Sequence, residues 1–105
     1  MIRYGLDRVT ELKFAAFQPK VERRDRQWVD IVLRVELQEG TDELPADLID
    51  LTALVICTHH GQIAQIVPQD EECDCEYQFT AEEKAQIASY IESPDMQARI
   101  RQAAG

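Results

Sequence analysis

From Val29 to Leu37 every second residue is aliphatic: Val29, Ile31, Leu33, Val35 and Leu37 alternate with Asp30, Val32, Arg34, Glu36 and Gln38. Successive side chains of a strand project to opposite faces, so this stretch presents one wholly apolar face and needs a core laid against it. Trp28 opens the run and Gly40 closes it. Leu12, Phe14 and Ala16 show the same period, which predicts an earlier strand over residues 8–18 that Pro19 ends. The charged stretch between them, residues 20–26, reads as a hairpin tip or loop. Residues 53–58 and 62–67 are two further short apolar runs, joined by His59-His60-Gly61 as a tight hairpin. Pro68 has no amide to donate, so it should end the second run or sit at a sheet edge.

Between these runs, residues 42–51 combine Pro45 with several acids and predict one or two turns of helix. Gln69 to Asp74 reads as an acidic loop, and residues 76–79 as a short strand. Thr80-Ala81-Glu82-Glu83 then matches a capping box, in which hydroxyl and carboxylate satisfy two backbone donors at the start of a helix. Ala85, Ile87, Ala88, Tyr90 and Ile91 form the buried stripe of that helix, which should end near Glu92. Ser93-Pro94-Asp95 caps a second helix through about residue 103, with Met96 and Ile100 on one side. Strands first and helices last argue for an α+β fold: an antiparallel sheet of four or five strands with two C-terminal helices packed on one face. A length of 105 residues suits a single domain, 1–105, and no repeat, low-complexity tract or linker interrupts it.

The longest uninterrupted apolar run, residues 53–57, is far short of the roughly 20 residues of a membrane-spanning helix. The opening residues Met1 to Arg8 lack the apolar core of a secretory signal. Three cysteines are an odd number for a disulfide framework. The expectation is a cytoplasmic protein with reduced thiols. A net charge of −9 argues against nucleic acid as a partner. Its distribution is uneven: residues 1–34 hold eight bases against five acids, whereas residues 35–83 hold thirteen acids and no Lys or Arg. Opposite charges could meet on solvated faces of one fold, or the acidic part could recruit a basic partner.

Two clusters carry potential chemistry, Cys57-Thr58-His59-His60 and Cys73-Asp74-Cys75. Alternation along strands could point Cys57 with His59 and Cys73 with Cys75, giving a candidate zinc set of Cys57, His59, Cys73 and Cys75. Their spacing matches no common zinc module. The competing reading makes Cys57 a core residue, puts the histidines at a hairpin tip and leaves Cys73 and Cys75 beside a loop. The neighbouring Asp70, Glu71, Glu72, Asp74 and Glu76 disfavour thiolate chemistry, and with no glycine among them they make a poor calcium loop. There is no nucleophile elbow and no phosphate-binding glycine loop, so catalysis would need an active site assembled from scattered acids. The Arg23-Arg24-Asp25-Arg26 cluster could dock an acidic segment such as residues 69–76 of a second copy.

These features point to a non-catalytic protein-protein interaction module, an acidic adaptor, chaperone-like or inhibitor subunit. It would bind a protein partner or itself through an exposed strand edge or a helix face. The alternative from another class is a small metal-binding protein built on the Cys/His set.

Overall fold

In chain order the elements are β1 (Ile2–Arg3), β2 (Phe14–Arg23), β3 (Trp28–Leu37), β4 (Leu51–Thr58), β5 (Ile63–Asp70), β6 (Cys73–Asp74), β7 (Tyr77–Gln78), α1 (Ala81–Ile91) and α2 (Pro94–Ala104). The computed structural model describes residues 1–3, 5 and 9–105. Five strands form one antiparallel sheet in the order β2-β3-β4-β5-β6, and β1 pairs with β7 in a separate two-stranded ladder. The α+β class and the antiparallel sheet expected from the alternation are both present. No helix among the described residues is long and apolar enough to cross a membrane.

The register explains the core. Val29 lies opposite Cys57, Ile31 opposite Val55 and Leu33 opposite Ala53, and all six side chains are fully buried. Ile87 and Ile91 of α1 and Met96 and Ile100 of α2 cover this face. Burying an aliphatic side chain of this size is worth roughly 1.5–3 kcal/mol, so the alternating stripe of β3 is what fixes which side of the sheet receives the helices. Both helix starts follow their sequence signals. Thr80 accepts from the Glu83 amide in a complete capping box, and Ser93 caps α2 with Pro94 in its first turn.

Several local expectations are corrected. The charged residues Lys20 to Arg23 continue β2 instead of leaving it, because pairing runs on from Lys20↔Val32 to Arg23↔Val29. Pro19 lies inside that strand. It is tolerated because β2 has β3 as its one neighbour in the sheet, so the missing amide falls on an edge. Residues 42–50 form turns, with Leu48 donating to the Pro45 carbonyl and no helix beyond it. Their backbone is tied elsewhere: the Asp70 carboxylate accepts the amides of Ile49 and Asp50 at 2.9 and 2.7 Å. The acidic loop expected at 69–74 is a tight hairpin between β5 and β6. Its two central residues, Glu71 and Glu72, have φ of 51° and 66°, the signature of a type I′ turn. The strand expected over 8–18 begins at Phe14, and its first residue, Arg8, lies outside the described residues.

One buried carboxylate joins the remote parts of the chain. Glu83 is fully buried, and its two oxygens accept from the Met1 ammonium at 2.7 Å, the Leu12 amide at 2.8 Å and the Thr80 amide at 2.8 Å. The Met1 ammonium also donates to the Thr10 carbonyl. A buried charge is sustained only when paired and fully hydrogen-bonded, and these donors meet that condition. Glu83→Ala should therefore destabilise the fold by about 3–5 kcal/mol in urea unfolding, because it leaves two buried amides without acceptors and a buried ammonium with no counter-charge. At the β5–β6 turn, Glu71→Asn with Glu72→Gly should raise the unfolding free energy by about 1 kcal/mol in the same urea titration, since β-carbons oppose left-handed backbone there.

Candidate functional site

The register does not bring the candidate zinc residues together. Cys57 faces the core opposite Ile63, at one end of β5, whereas Cys73 pairs with Asp70 at the other. Seven residues of strand separate those ends, about 23 Å at ~3.3 Å per residue. His59 sits at the β4–β5 turn, where its Nε2 lies 2.9 Å from the Asp25 carbonyl oxygen and links that turn to the tip of the β2–β3 hairpin. Cys73 is exposed, and the Cys75 thiol donates to the Pro68 carbonyl at 3.6 Å. Among the described residues no three His, Cys, Asp or Glu side chains are grouped closely enough to hold a metal ion.

The β4–β5 turn is built tightly. Gly61 has φ of 86°, and the Gln97 amide of α2 packs over it, donating to the Gly61 carbonyl at 3.2 Å and to the Ile91 carbonyl at 2.9 Å. A β-carbon at position 61 would collide with the Gln97 side chain and force it aside. At the neighbouring tip, the Asp25 carboxylate accepts the amides of Gln27 and Trp28, both at 2.8 Å, which hold its carboxyl below the usual range.

A polar cluster stands where the β1–β7 ladder meets the 42–50 segment. The Tyr77 hydroxyl donates to Asp47 at 2.7 Å, which lowers the Asp47 carboxyl and raises the Tyr77 phenol from their ordinary values. Arg3 bridges Asp47 at 3.1 Å and Glu76 at 3.0 Å, and its guanidinium lies 5.8 Å from the Tyr77 ring centroid. Hydrogen bonding to Glu76 first, and then the nearby carboxylates, hold the Arg3 proton still more firmly. Its members satisfy one another at the surface, as a solvated ion-pair network does, and such pairs contribute little to stability.

The larger feature is the free edge of β5. β6 pairs with Gln69 and Asp70, and among the described residues no strand is hydrogen-bonded to Ile63–Val67 on that side, although β7 lies close by. The Cys75 thiol reaches the Pro68 carbonyl from this side, so that carbonyl points away from β4. Two residues earlier, Ile66 presents its amide and carbonyl in the same outward direction. A groove of about 740 Å³ follows this edge. On the sheet surface opposite the helices it is lined by Leu54, Ile56 and Val67, and on the other side by Tyr77, Gln78 and Lys84. Val32, Leu54 and Val67 lie side by side across three strands and are half-buried, so an apolar row leads into the groove.

The two edges of the sheet differ in kind. β2 carries Pro19 with Lys20, Glu22 and Arg23, which discourage a further strand from joining. The β5 edge carries no charge from Gly61 through Gln69. That uncharged interval is the sequence signal for it, legible only once β5 is known to be at an edge.

The thiols give a direct check on this geometry. Burial pushes the Cys57 thiol up to about 11, while Cys73 is exposed. Titration with an aromatic disulfide at pH 8 should modify Cys73 rapidly and Cys57 only after unfolding; prompt reaction of all three thiols in the folded protein would contradict the placement of Cys57. No protein-family model, curated protein or solved structure matches this chain.

Proposed function

We propose that the chain is a non-catalytic protein-interaction module whose working surface is the free edge of β5. One observation carries this reading: five consecutive residues, Ile63 to Val67, form an uncharged strand edge, unpaired among the described residues, beside a groove whose floor holds Leu54, Ile56 and Val67. Unpaired strand edges are templates for a further strand, and proteins that do not use them cover them or arm them with charge. Added strands bind through main-chain hydrogen bonds, and alternate side chains enter pockets on either side. The groove offers both sides. Leu54 and Val67 would receive one set of side chains, and the space beside Tyr77 and Lys84 the other.

Amide hydrogen exchange with an octapeptide of alternating valine and threonine tests the reading. Bound peptide should slow exchange at Ile66 and leave the core strands β3 and β4 unchanged. Ile66→Pro, which removes an outward donor, and Val67→Lys, which places a charge in the apolar row, should each weaken binding at least tenfold. Thermal melts of both variants separate loss of docking from loss of fold. An Ile66 amide that exchanges equally fast with and without saturating peptide would refute the proposal.

A further inference from the structure

Resting on that docking edge, we infer that its occupant is an extended segment of a different protein, bearing Lys or Arg at the end that abuts β6.

Self-pairing is blocked by β6. A two-fold antiparallel pairing of β5 with itself, centred anywhere from Ala64 to Ile66, sets Gln69 and Asp70 of one copy opposite residues 58–63 of the other. In each copy the lane beside Gln69 and Asp70 is already filled by β6. Each β6 would therefore occupy the space required by the other copy's β4–β5 turn. A peptide with a free or turning end does not run into β6, since it needs only the lane from Ile63 to Val67, in the groove between β5 and β7.

Charge then selects the segment. Asp70, Glu71, Glu72, Asp74 and Glu76 crowd the β6 end of the groove, with no Lys or Arg between Gln69 and Glu83. Asp70 is occupied by two backbone amides and Glu76 by Arg3. Glu71, Glu72 and Asp74 have no ion-pair partner among the described residues. Asp74 itself lines the groove. Among the described residues the one cation lining it is Lys84. Three unneutralised carboxylates at one end of an apolar lane favour a partner with positive charge at that end, and complementarity of this kind governs encounter and register. The basic cluster of this chain's own residues 23–26 lies at the tip of the β2–β3 hairpin, joined through Asp25 to the opposite end of β5.

The test uses octapeptides with the same valine-threonine body, carrying a Lys-Lys, Thr-Thr or Glu-Glu pair at one terminus or the other. Their affinities are measured by calorimetry at 50 and 300 mM salt. The Lys-Lys pair at one of the two termini should bind at least tenfold tighter than Glu-Glu at low salt, with the difference shrinking at high salt. Glu71→Gln, Glu72→Gln and Asp74→Asn combined should abolish the preference and leave the Thr-Thr peptide's affinity within twofold. Equal binding of all three, or a preference that survives the triple substitution, overturns the charge assignment while the docking edge stands. Failure of every peptide to bind, with the Ile66 amide unprotected, removes both. Sedimentation showing a dimer that these peptides dissociate would overturn the exclusion of a second copy.

Discussion

The arrangement of this molecule depends on the buried Glu83 carboxylate. It caps the first helix, receives the chain's amino group and takes the backbone amide of Leu12, so segments more than 70 residues apart in sequence converge on two oxygen atoms. Helix α1 is thereby held in place at its start, and Ile87 and Ile91 reach the core from a fixed position. Apolar packing alone would let the helix slide along the sheet. A buried charge with every lone pair assigned does not tolerate such displacement, because any shift strands a donor in a low-dielectric interior.

With the helices committed to one face, the other face and the two edges are left to solvent, and they are treated differently. The β2 edge is armed with proline and charge, and the neighbouring hairpin tip is closed by Asp25. The β5 edge is uncharged and, among the described residues, unpaired over five residues, and it is acidic just beyond them. Charge that is lopsided along the chain thus becomes lopsided across the sheet. Cross-links such as Arg34 to Asp50 and Arg3 to Asp47 neutralise part of it, but the turn at Glu71 and Glu72 stands outside them.

Much of this could be read in the residues. Period-two alternation located β3 and its buried face, and the Thr80 and Ser93 caps located both helices, because each signal is local and acts over a few residues. The extension of β2 through Lys20 to Arg23 was hidden by charge, since an edge strand can carry polar side chains on every exposed position. The 42–50 segment had helical punctuation yet forms turns, with Asp70 claiming its amides from a distance. The docking edge was the least legible part. The residues of β5 are ordinary strand residues, and only their place at the end of the strand order makes them distinctive. The proposed clustering of Cys57 and His59 with Cys73 and Cys75 likewise depended on register, which sets them at opposite ends of one strand.

The brevity of β6 has its own consequence. It occupies the lane beside the last two residues of β5, and Cys75 just after it takes the Pro68 carbonyl, so the hairpin works as a ruler: whatever lies along the remaining edge is limited to about five residues, near 17 Å at ~3.4 Å per residue. The stop is held by two ladder pairs and a turn of two glutamates in left-handed backbone, so it is among the least firmly anchored pieces of the sheet. Peeling it away would extend the interval to the end of β5, adding Pro68, Gln69 and Asp70, so the permitted span is set by the hold of a single short hairpin.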